Sequence, residues 1–153
     1  MNEHVANNIR NIALVGHGGS GKTTLVEAAL RTIGKTTRMG SISDGNTVSD
    51  YLPEEQERQY SLNTTLMQIE HGSVKLNILD TPGYTDFIGE PMGALRSADN
   101  AVFVVNAQTG VEVGTELMWR NADKYSMPRM IIINACSREH ADFDAALEQC
   151  KDR

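Results

Sequence analysis

The segment Gly16-His17-Gly18-Gly19-Ser20-Gly21-Lys22-Thr23 constrains this chain more than any other. It has the spacing GxxxxGK[ST], in which glycines let the backbone wrap an anion and successive amides point inward at it. Before it, Ile12 to Val15 is a continuous apolar run, the mark of a strand buried on both faces. After it, Leu25, Val26, Ala29, Leu30 and Ile33 recur at spacings of three and four, which predicts a helix starting at Lys22 and stopped by Gly34. The helix then aims its positive dipole end into the loop. Lys22 reaches the outer phosphates as a point charge, and the Thr23 hydroxyl can ligate magnesium. For this composition, chance supplies the pattern in only roughly 0.005 of chains of the same length.

The remaining apolar periods alternate in type. Residues 35–63 are polar, carry a turn signal at Asp44 to Asn46 and show no sustained period, so they read as a long loop of the kind that is often functional. Thr65 to Glu70 and Val74 to Leu79 read as strands joined by a tight turn at His71 to Ser73. Asp80-Thr81-Pro82-Gly83 ends the second strand, and a helix follows from about Phe87 to Ser97, with Pro91 weakening its middle. Ala101 to Val105 and Met130 to Ile133 are further buried strands; Glu112 to Tyr125 and Ala141 to Lys151 are helical. This order predicts an α/β fold, a mostly parallel sheet with helices on both faces, whose ligand sits at the carboxyl ends of the strands. Asp80 is at such an end, placed to hold magnesium through a water, and the Gly83 amide is free to meet a terminal phosphate.

Composition narrows the function classes. A formal charge of −6 argues against non-specific DNA binding by the whole surface. No apolar run approaches the ~20 residues of a membrane span, and the amino terminus MNEHVANNIRN has no apolar signal core. Two cysteines are too few for a disulfide framework, which fits a reducing, cytoplasmic setting. Cys136, His140 and Cys150 could be read as metal ligands, but their spacing matches no standard zinc pattern, and the cysteines read as buried or partly buried free thiols. Trp119 and Tyr125 read as helix packing residues, and Glu54, Glu55 and Glu57 as a solvated loop face.

The blocks GHGGSGKTTL, DGNTVSDYLPEEQER, DTPGYTDF and WRNADKYSMPRMIIIN, in this order, make the chain resemble the amino-terminal part of the GTP-binding domain of elongation factor G-like translational GTPases, in a paralogous branch of that family. The resemblance covers nearly the whole chain. It implies a P-loop GTPase fold over residues 1–153, incomplete because the final strand and helix are lacking. It implies GTP or GDP and magnesium as cofactors and the ribosome as partner of the full-length factor. Residues 35–64 would be the first switch and 80–87 the second. His17, Gly18, Gly19, Ser20, Gly21, Lys22, Thr23, Thr24, Asp80 and Asn134 would contact the nucleotide, His17 by its backbone. Thr23, Ser61 and Asp80 would surround the metal. Lys22, Gly83 and Tyr84 would carry the hydrolysis.

Three departures from the family pattern bear on activity. Tyr84 stands where a histidine usually places the attacking water. Asn134-Ala135-Cys136-Ser137 keeps only the asparagine of the guanine-reading NKxD. The chain stops at Arg153, before a further guanine-contacting loop. Two smaller exchanges lie in the first switch, where Tyr60 fills a slot usually held by isoleucine and Ser61 stands for a metal-binding threonine. A non-catalytic or base-unselective phosphate-binding module is therefore the rival reading, and an adenine-nucleotide P-loop enzyme a third.

Overall fold

The computed structural model describes residues 4–152. A short 3-10 turn at Ala6–Asn8 leads into β1 (Ile9–Val15), α1 (Lys22–Thr32), α2 (Pro53–Arg58), β2 (Thr65–His71) and β3 (Val74–Asp80). After a second 3-10 turn at Thr85–Phe87 come α3 (Gly89–Ser97), β4 (Asn100–Asn106), α4 (Val113–Lys124), β5 (Arg129–Asn134) and α5 (Phe143–Asp152). The strands make one sheet in the order β2-β3-β1-β4-β5. β2 and β3 pair antiparallel, with Met67 opposite Ile78, and the other three pairings are parallel.

Alternation along the central strands decides what each face buries. Ala13 and Val15 of β1, with Ala101 and Phe103 of β4, pack with Leu95 of α3 and with Met118 and Ala122 of α4. Leu14 and Val102 point the other way, onto Val26 and Leu30 of α1 together with Met67, Ile69 and Ile78. The second half of β1, from Ile12, and the middle of β4, Ala101 to Val105, are thus covered on both faces, which is why each is an unbroken apolar run. Trp119 packs edge-on against Phe103, their ring centres 4.9 Å apart, while Tyr125 is 39% exposed and lies 5.9 Å from the Arg96 guanidinium.

Three local expectations need correction. β1 starts before its apolar run because Ile9 to Leu14 pair with Lys75 to Asp80. The stretch read as a structureless loop contains α2, with Pro53 in its first turn beside Glu54 and Glu55, and Arg58 in its last. Those are good end residues for a helix, but six positions are too few to show a period. Pro91 does not weaken the middle of α3: it is the third residue of a helix starting at Gly89, where an N–H would have no intrahelical partner anyway.

Candidate functional site

The glycine loop leaves β1 at Val15 and turns so that the Ser20 amide donates to His17 O at 3.3 Å, which brings the chain round to start α1 at Lys22. Lys22 is 5% exposed, and its Nζ donates to Gly16 O at 3.1 Å and His17 O at 2.9 Å, bracing the loop it springs from. Burial lowers its pKa from 10.5 to about 8, against the opposing pull of Asp80. An anion in the loop would favour the charged form. Asn134, the last residue of β5, reaches across the sheet edge and donates from Nδ2 to Ser20 O at 3.0 Å.

Beside the loop lies a cluster built entirely from oxygens. Ser49 Oγ donates to Asp80 Oδ2 at 2.6 Å, Ser61 Oγ donates to Asp50 Oδ1 at 2.7 Å, and Thr23 Oγ1 lies 3.3 Å from Ser61 Oγ. Thr23, Ser61 and Asp80, the residues that the resemblance places around a metal, lie in this one cluster. Ser49 and Asp50 join them and were missed, because an Asp in a polar loop gives no periodic signal of burial. Asp50 Oδ2 and Asp80 Oδ1 are buried without a hydrogen-bond partner. Burial raises the Asp80 pKa from 3.8 to about 6, although hydrogen bonds from Ser49 and Thr23 and the nearby Lys22 pull it back down. Burial also raises that of Asp50. Two buried carboxylates with open lone pairs beside hydroxyl groups suit a hard divalent cation such as magnesium. Among the described residues no three His, Cys, Asp or Glu converge on one point. Such a cation would therefore complete its shell with hydroxyl, water and phosphate oxygens.

The polar stretch before β2 is tied over this cluster by two buried acids. Glu27 of α1, fully buried, accepts from the Gly40 amide at 2.9 Å and the Val48 amide at 2.5 Å. Glu55 of α2 accepts from the Leu52, Leu62 and Asn63 amides at 3.3, 2.8 and 3.1 Å. The acidic run is thus not wholly a solvated face: Glu54 and Glu57 are exposed, but Glu55 is 1% exposed.

Tyr84 follows β3 and is 44% exposed, yet it is not free. Its ring stands 4.8 Å from that of Tyr60 and covers Gly18, where a Cβ would lie 3.0 Å from the ring. Gly83 presses on the same loop, because a Cβ there would lie 2.7 Å from Gly18 N and from His17 O. A phenol can donate a hydrogen bond here but is no base at neutral pH. Gly18, Gly19 and Thr24 line a cleft of about 240 Å3 that also takes in Asp50, Tyr60 and Arg138. Ala135 and Ser137 do not line it; Ala135 holds a φ of +61° and Ser137 is exposed. Cys136 is exposed rather than buried, and Cys150 is half-buried on α5.

Residues 7–153 match the sequence profile of the family described as "Elongation factor Tu GTP binding domain". The chain is 38% identical over 144 residues to an elongation factor G-like protein of Mycobacterium tuberculosis, covering 94% of this chain and 20% of that protein. It is 39% identical to the mitochondrial ribosome-releasing factor 2 of Drosophila melanogaster, covering 95% of this chain and 20% of the relative. It thus spans about a fifth of the length of these relatives. A crystal structure of a Thermus thermophilus protein superposes with a TM-score of 0.90 at 41% identity, over 94% of this chain and 22% of the other. Elongation factor SelB from Methanococcus maripaludis, solved with the GTP analogue GppNHp, shares the fold with a TM-score of 0.68 at 17% identity over 94% of this chain. No helix among the described residues is long and apolar enough to cross a membrane. The five-stranded sheet with its phosphate-type loop and the ordered sequence blocks have one common explanation: this chain belongs to the family of elongation factor Tu-type GTP-binding domains, and its relatives include an elongation factor G-like protein.

Proposed function

We propose that this chain binds GTP and GDP with magnesium and hydrolyses the terminal phosphoanhydride, as the nucleotide switch of an elongation factor G-like factor that acts on the ribosome in the cytoplasm. The observation that carries this reading is the cleft that Lys22 and Thr23 of the glycine loop share with Asp50 and Ser61, where Asp50 Oδ2 and, next to Lys22, Asp80 Oδ1 are buried without a partner. Amides from His17 to Thr24 and the Lys22 ammonium neutralise the phosphates. Thr23, Ser61 and Asp80 would hold the magnesium, with Ser49 hydrogen-bonded to Asp80 and Asp50 to Ser61. Magnesium, when bound, would supply charge neutralisation to the phosphates. The Gly83 amide meets the terminal phosphate and Tyr84 stands beside the attacking water, so catalysis rests on positioning and charge. Residues 35–64 and 80–87 act as the two switches, ordered by the terminal phosphate and released after hydrolysis.

Calorimetry with magnesium and GDP tests the binding. Lys22→Ala should lose about 1.5 to 3 kcal/mol, the contribution of one charge-assisted bond. Equal affinity without the lysine overturns the reading. Hydrolysis is tested on the full-length factor by turnover with and without ribosomes.

Ala135 and Ser137 favour a second reading, in which the loop binds phosphates with little choice of base. Ser137 offers one hydroxyl where an aspartate would accept two hydrogen bonds from a guanine edge, and Ala135 has no stem to cover the ring.

A further inference from the structure

His17 sits in the phosphate loop, where its backbone alone accounts for its presence, yet its ring is engaged elsewhere. The Gly114 amide donates to His17 Nδ1 at 3.3 Å, and Nε2 lies 3.5 Å from Glu112 Oε1. Gly114 is the second residue of α4, and Glu112, its N-cap, makes no side-chain cap of its own. The first amides of a helix lack intrahelical partners. Thr115 and Glu116 already bond Glu112 O at 2.9 and 3.1 Å, so the imidazole supplies a cap to the Gly114 amide from another element. An acceptor at Nδ1 leaves the ring proton on Nε2, facing the Glu112 carboxylate. The contact is close: a Cβ on Gly114 would lie 2.8 Å from Nδ1 and 3.1 Å from the His17 Cα. Only a residue without a side chain lets α4 approach this far.

We infer that the His17 ring is a positioning residue of the nucleotide site, seated on the start of α4 so that the backbone at 17 and 18 is held where the outermost phosphate must be received. His17 O is a resting partner of Lys22 Nζ, and Gly83 packs against His17 O and Gly18 N. One ring thus fixes the loop backbone against which both the Lys22 ammonium and the turn after β3 are set. The inference rests on the proposed nucleotide binding for its functional consequence, but the clamp itself is a property of the ligand-free chain.

The test uses His17→Ala, His17→Asn and Gly114→Ala. Asparagine places its Oδ1 close to where Nδ1 stands and keeps the acceptor. Affinities are measured for GDP and for a non-hydrolysable GTP analogue, each with magnesium. Loss of one hydrogen bond at the outer end of the loop should weaken the analogue about three- to tenfold and GDP less. Gly114→Ala should do the same, and His17→Asn should recover most of the loss. Equal weakening of both ligands, no weakening, or an asparagine variant as poor as alanine overturns the role. Amide hydrogen exchange on the ligand-free proteins separates this from the functional reading. Gly114 and the 17–20 amides should exchange faster in His17→Ala and recover in His17→Asn. Unchanged exchange removes the clamp, whereas changed exchange in a chain that binds neither nucleotide leaves the clamp and removes the proposed function.

Discussion

Glu27 offers the sharpest perturbation of the closed loop, because one fully buried carboxylate holds two points eight residues apart, Gly40 and Val48. Glu27→Gln keeps the shape and volume but turns one acceptor oxygen into an NH2 group. One of the two amides then faces a donor. A charge-assisted bond contributes about 1.5 to 3 kcal/mol, and the surviving bond, now to a neutral oxygen, has roughly half its former strength. Water recovers part of this at Val48, which is 43% exposed, but little at Gly40, which is buried. The closed loop should lose about 2 to 3 kcal/mol, equivalent to roughly a 30- to 150-fold shift towards open forms. Amide hydrogen exchange at Gly40 and Val48 reads that shift directly. Urea unfolding should register a smaller loss, because the loop opens without the sheet. Exchange at both amides within about twofold of the parent chain would show that the loop is held by something other than Glu27.

Three further outcomes follow from the site. Ala135→Lys with Ser137→Asp should raise the preference for GDP over ADP in a competition titration; a parent chain that already prefers GDP by about a hundredfold, ~2.7 kcal/mol, reads guanine elsewhere. The Asp80 pKa is raised on folding, so its contribution to stability is full below about pH 4 and lost as pH rises through about 6. Relative to Asp80→Asn, the ligand-free chain should therefore melt higher near pH 4 than near pH 7, while magnesium-dependent nucleotide affinity, which needs the carboxylate, should fall as pH drops below about 6; parallel pH trends in the two proteins refute this. On the full-length factor, Tyr84→His should speed single-turnover hydrolysis, since the phenol supplies no base; a faster tyrosine enzyme would remove that position from the reaction.

What could be read from the sequence was whatever the backbone or an unbroken apolar run dictates. The glycine loop between Val15 and Lys22 needs only its spacing, and β4 and the second half of β1 needed only their apolar runs, because they are buried on both faces. Asp80 was legible from its place at the end of a strand. Asp50 and Glu55 were not, since a carboxylate turned inward to a hydroxyl or to main-chain amides has the same letters as one turned to water. Neither was the His17 ring contact with Gly114, which joins positions 97 residues apart and leaves no local pattern. The Tyr60–Tyr84 contact likewise depends on two loops meeting at 4.8 Å.

The stretch before β2 is gripped by Glu27 and Glu55 through main-chain amides: Gly40, Val48, Leu52, Leu62 and Asn63. Such a grip is blind to side-chain identity, since every residue but proline offers the same N–H. The outward side chains here, among them Met39, Val48 and Tyr51 at 46, 43 and 62% exposure, can therefore be exchanged without altering how the segment closes. The segment's shape and its surface lettering are separate variables. One can be kept for the oxygen cluster beneath while the other drifts to suit whatever the outer face meets, and proline at any of the five gripped positions is the substitution that breaks this independence.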